Sequence, residues 1–196
     1  MAKAFKRKGD RFVAHLEDVE REVVVSLMEQ TQELLAPVHR EPTGNTFDDL
    51  VATLGVSQPD DSGPDDPQQP RDSALERLLP EAHRDDPAMA AEFRRLTEQG
   101  LRERKTGNLA TAIEALGAAD GDKVRLSLQQ AQAMVIALTD VRLLLGERLG
   151  LRTDEDADDL QDRLEAASED DPDLFLAAYY DFMTWLQESL TQALMA

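Results

Sequence analysis

The sequence predicts a mainly α fold: a single helical domain of about six helices with a small N-terminal β-hairpin. Three observations predict it. Apolar residues recur at helical spacing in several long segments. Helix-capping and helix-stopping residues punctuate those segments. The apolar fraction is 41% but aromatics are only 5%, which favours Leu/Ala/Val helix packing over an aromatic-rich β-sandwich. A chain of 196 residues is long enough for one domain with a real core.

Residues 4–16 read AFKRKGDRFVAHL. Lys8-Gly9-Asp10 is turn chemistry between two short runs, and Phe12, Ala14 and Leu16 alternate with Val13 and His15. This pattern predicts the hairpin. Glu17 or Asp18 can cap the next helix, over residues 19–36. Its apolar positions are Val19, Val23, Leu27 and Leu34, with Val24, Met28 and Leu35 beside them, and Pro37 stops it. A short helix follows Thr46, through Leu50, Val51 and Leu54, to Gly55.

Residues 57–72 hold four prolines and five aspartates and no large apolar side chain. They are expected to form an acidic, Pro-rich flexible linker within the single domain 1–196. Asp72 or Ser73 caps a short helix with Leu75, Leu78 and Leu79. Asp86 caps a long one with Pro87 at its first position, and Met89, Phe93, Leu96 and Gly100 line a face. Gly107-Asn108 marks either a break or a helix that runs on through Leu109, Ile113 and Leu116.

Residues 124–126 are a candidate third strand of a three-stranded sheet. Ser127 and Gln130 form a capping box. The helix behind them carries Ala131, Met134, Val135, Leu138, Val141, Leu145 and Leu149, and is expected to be the most buried. Gly150 stands where a left-handed C-terminal cap belongs. A polar helix is expected around Leu160 and Leu164. Asp171 then caps the last helix, with Pro172 first and most of the aromatics inside it. The expected core comes from 23–35, 89–96, 134–149 and 175–190.

The formal charge is −19, from 40 acids against 21 bases. Such a field repels phosphate backbones, so direct nucleic-acid binding is expected to be weak or absent unless a basic patch is segregated. Cysteine is absent, which excludes disulfides, thiolate catalysis and zinc thiolates within these residues. No apolar run approaches the roughly 20 residues of a membrane span. MAKAFKRKGD lacks the apolar run of a signal peptide, and a cytoplasmic setting is the expectation.

No motif for a nucleophile elbow, phosphate loop, dinucleotide loop or metalloprotease occurs, and His15, His39 and His83 lack metal-ligand spacing. Asp154, Asp156, Asp158 and Glu165 fall at positions 1, 3, 5 and 12 of a calcium loop. The sixth position is Asp159 rather than glycine, so a solvated acidic helix start is the better reading. No catalytic residue, metal site or cofactor is expected.

Two partner-binding candidates stand out. Lys6, Arg7, Lys8 and Arg11, with Lys3, oppose the single acid Asp10 in the hairpin. This is charge segregation that serves either a binding edge or an edge strand protected from aggregation. Tyr179, Tyr180 and Trp185 in the last helix are favoured anchor types at interfaces, although core packing also explains them.

Three segments carry a family resemblance: FKRKGDRFVAHLEDVEREVVVSLMEQTQELL, RDSALERLLPEAHRDDPAMAAEFRRLTEQGLRERK and VRLSLQQAQAMVIALTDVRLLLGERLGL. The closing helix extends it. Together they resemble an actinobacterial domain-of-unknown-function family labelled AosR-type oxidative-stress transcription regulators. That resemblance implies a non-enzymatic regulator or adaptor acting through a sigma factor or RNA polymerase. The family's redox sensing relies on a cysteine pair that this chain lacks, so an oxidant response would come from a partner or from the methionines. The alternative is a structural helical homodimer without a direct transcription role.

Overall fold

The computed structural model describes residues 1–36, 72–80, 87–166 and 171–196, with the side chains of 87–95, 154, 165 and 166 outside that description. The expected helix at 46–54, most of the acidic linker, His39, His83 and the Asp86 cap lie outside the described residues.

Strands β1 (Lys3–Lys8), β2 (Arg11–His15) and β3 (Lys123–Leu126) form one antiparallel sheet in the order β1-β2-β3. Six helices are described: α1 (Asp18–Leu35), α2 (Ser73–Leu78), α3 (Pro87–Gly117), α4 (Leu128–Arg148), α5 (Asp154–Ala166) and α6 (Pro172–Met195). The hairpin and the third strand are therefore where the sequence places them, and α3 runs unbroken through Gly107-Asn108. No described helix is long and apolar enough to cross a membrane.

Local chemistry sets the element ends. Lys8 pairs with Arg11, so Gly9 and Asp10 alone make the turn. Gly9 has φ +66°, and among the described residues no non-glycine, Asp10 included, has positive φ, which is the signature of a type II′ hairpin turn. Glu17 precedes α1, and its N–H donates to the Glu20 carboxylate at 2.8 Å. The Ser127 hydroxyl accepts from the Gln130 N–H at 3.2 Å, and the Gln130 side chain accepts from the Ser127 N–H at 2.9 Å. This reciprocal box starts α4, and Ser127→Ala should lower stability by about 1 kcal/mol in urea melts. Asp171 caps α6 through the Asp173 N–H at 3.0 Å. Gly150, at φ +77°, ends the α4 segment.

The core lies where α1, α3, α4 and α6 meet the inner face of the sheet. Phe5, Phe12, Ala14, Val124 and Leu126 come from the sheet, and Met28, Leu109, Leu116, Met134, Leu138, Met183 and Leu186 from the helices. Two expectations are corrected. The buried stripe of α1 is Val24, Leu27, Met28, Thr31 and Leu35, while Val19 is 70% exposed in the first turn. Leu96 is 66% exposed, because α1 ends where Arg102 meets it. Leu96 lies six residues earlier on α3, about 9 Å beyond that end. Among the described side chains, α3 contributes Leu109, Ala112, Ala115 and Leu116 to the core, and the expected Met89 and Phe93 lie outside them.

Three polar groups join helices inside this packing. Arg102 donates to the Leu35 carbonyl at 3.0 Å, satisfying an orphan acceptor at the end of α1. Lys105 on α3 forms an ion pair with Asp140 on α4, a residue that is 1% exposed. Burial pushes the Asp140 carboxyl above its ordinary range against the opposing pull of Lys105, and its Oδ2 has no hydrogen-bond partner among the described residues. Arg142 donates to the Gln187 side-chain Oε1 at 2.7 Å and to the Tyr180 hydroxyl at 3.3 Å, joining α4 to α6.

Candidate functional site

The hairpin displays its cations because strand alternation sorts them. Phe12 and Ala14 point into the core, so Arg11, Val13 and His15 point the other way. Register carries that outer face across the sheet. Lys6 and Arg125 flank Val13, Lys8 pairs with Arg11, and Lys3 and Lys123 flank His15. Residues directly opposite in antiparallel strands share a face. The outer face of all three strands is therefore a basic plate with Val13 at its centre. Val13 is 5% exposed yet outside the core cluster, as expected where long cationic stems flank a small apolar side chain.

The neutralising acids are unevenly placed. Asp120 accepts from Arg125 at 3.3 Å. Asp122 faces His15 at 3.1 Å, and that hydrogen bond holds its carboxyl below the usual range. Both acids sit at the β3 side. Asp10 reaches Arg11 only at 3.8 Å. Arg7 is exposed and donates to the Gly9 carbonyl at 3.2 Å. Among the described residues, the Lys6 and Lys8 side chains carry no ion pair or hydrogen bond. The uncompensated charge thus concentrates on β1 and the hairpin tip.

β1 is also one of the two edge strands, and its edge is managed. The register shifts between Lys3 and Lys6, so Ala4 and Phe5 together oppose Ala14, a β-bulge. The Phe5 N–H leaves the ladder and donates to the Ser189 hydroxyl of α6 at 3.2 Å. Bulge, helix and lysines all discourage strand addition along this edge, so a partner meeting the β1 lysines meets the face rather than the β1 edge.

The aromatic candidates divide. Tyr180 is held against α4, with the Arg142 guanidinium 5.2 Å from its ring centre and its ring 3.6 Å from where a Cβ on Gly146 would stand. Tyr179 is half-buried against the core. Trp185 is 37% exposed and stacks on Phe182 with centroids 5.8 Å apart. Phe175, outside the sequence selection, is 54% exposed. The Ser189 bond to β1 lies one turn after Trp185, so α6 is anchored beside the hairpin.

A cleft of about 600 Å³ lies between the end of α4 and α5. Two of its acids, Glu147 and Asp156, have structural work. Glu147 sits between Arg152 at 2.5 Å and Arg77 at 3.5 Å. Burial raises its carboxyl pKa, but Arg152, Ser73 and Arg77 outweigh this and leave it below the usual range. Asp156 accepts from the Arg152 and Thr153 N–H groups at 2.8 and 2.7 Å, which keeps its carboxyl low. The calcium-loop spacing falls on α5, a helix rather than a loop. Among the described residues no group of three or more His, Asp or Glu side chains is arranged to hold a metal ion.

Sequence reading found the hairpin cations but missed Lys123, Arg125 and His15 as members of the same face. The alternation Lys-Val-Arg-Leu in the third strand was the available signal. It becomes informative only once β3 is paired to β2.

Comparison with curated proteins and with solved structures finds no match. Residues 2–194 match a family described as a domain of unknown function, and the chain belongs to that family, DUF2017.

Proposed function

We propose that this protein is a non-enzymatic adaptor that works by binding another protein in the cytoplasm. A sigma factor or RNA polymerase is the partner implied by the resemblance to AosR-type regulators. One observation carries the reading: a chain of net charge −19 segregates an exposed basic plate, with Lys6 and Lys8 left unneutralised. Such segregation steers encounter with a complementary surface. Purified polymerase core and sigma factors, tested one by one by interferometry against the immobilised protein, check it. Binding to one of them at about micromolar strength, typical of transient regulatory contacts, is the expected result. Absence of binding to all of them overturns the transcription version.

The alternative, a structural homodimer, is favoured by the exposed Leu128 and Ile136 of α4, at 55% and 43%, and by Phe175 on α6. Light scattering decides it, since a monomer at about 100 μM removes the dimer.

A further inference from the structure

We infer that the outer face of the three-stranded sheet is a docking site for an acidic, extended protein segment. This rests on the adaptor reading and specifies the chemistry of the partner. The face is about 10 Å across three strands and roughly 17 Å along them, the footprint of about five extended residues. Lys6, Lys8 and Arg11 line its open end, and Arg125 and Lys123 its far side, where Asp120 and Asp122 already neutralise part of the charge.

Charge complementarity selects the occupant. A segment carrying alternate Asp or Glu side chains places carboxylates over the β1 lysines without covering the acidic body. A nucleic acid fits less well. Duplex DNA carries one negative charge per about 1.7 Å, so its flanks would lie against the acidic remainder of the molecule. Single strands need aromatic platforms for stacking, and this face offers one ring, His15, which is already engaged with Asp122 at 3.1 Å. Strand addition is discouraged at β1, the edge that carries the unneutralised lysines, by the bulge and by the Phe5–Ser189 hydrogen bond, so recognition by those lysines uses side chains across the face.

The test is fluorescence anisotropy with a labelled ten-residue Glu/Ser peptide and the full chain in low salt. Two variants change the net charge equally: Lys6→Glu/Lys8→Glu on the face, and Arg104→Glu/Arg148→Glu on exposed helix positions. Melting curves confirm that both fold. The expected result is peptide binding that weakens about tenfold in the hairpin variant and about twofold or less in the control, and that falls as salt rises. Equal loss in both variants, or no binding, overturns the inference. Tighter binding of a ten-nucleotide DNA than of the peptide, lost in the hairpin variant, also overturns it in favour of nucleic acid. If the interferometry finds a partner that binds the hairpin variant as well as the parent, the adaptor reading stands and this site is wrong.

Discussion

Lys105→Met is expected to lower the unfolding free energy by about 3–5 kcal/mol at neutral pH. The substitution leaves the Asp140 carboxylate enclosed between α3 and α4 without its Lys105 counter-ion, and among the described residues one of its oxygens already lacks a partner. The double variant Lys105→Met/Asp140→Leu should recover most of the loss. Removing both charges eliminates the desolvation term together with the attraction, and well-packed apolar replacements of buried pairs are often neutral or stabilising. Urea denaturation of the single and double variants measures this. A single variant as stable as the parent would show that the pair is not enclosed as described.

The same pair sets a pH dependence. The folded-state pKa of Asp140 is raised above its ordinary value of 3.8. Between those two values the folded state retains a proton that the unfolded state has lost, so stability falls as pH rises through the window. The slope should steepen in Lys105→Met, because the carboxylate then has no opposing cation. That variant should consequently be less destabilised near pH 5 than near pH 7.5, and Asp140→Asn should remove this contribution.

Leu145→Ala should cost about 2–5 kcal/mol, because Leu145 is 2% exposed within the core cluster and truncation leaves a cavity as well as losing transfer energy. Phe182→Ala should cost less than a full aromatic truncation, since Phe182 is only partly buried and its stacking partner Trp185 is 37% exposed. The order of the two effects in urea melts is the check. A larger loss at Phe182 would contradict the assigned burial.

What the sequence disclosed was local. The Ser127/Gln130 box, the Asp171-Pro172 start, the Gly9 turn and the Gly150 cap each depend on residues within a few positions of one another, and each is found where it is expected. Burial that depends on a neighbouring helix was less legible. Val19 and Leu96 have helical spacing, but exposure follows from where α1 begins and ends against α3. Lys105 and Asp140 are 35 residues apart on two amphipathic helices, and nothing in either segment marks them as partners. The basic face shows the same limit. Half of it is visible in the hairpin, and the rest requires the register between β2 and β3.

The most direct test of the adaptor account is affinity capture of the tagged chain from its native host, read by mass spectrometry, beside the Lys6→Glu/Lys8→Glu variant. The account predicts specific recovery of a sigma factor or polymerase subunits with the parent chain and their loss with the variant. Recovery of only the protein itself, from both, would contradict it.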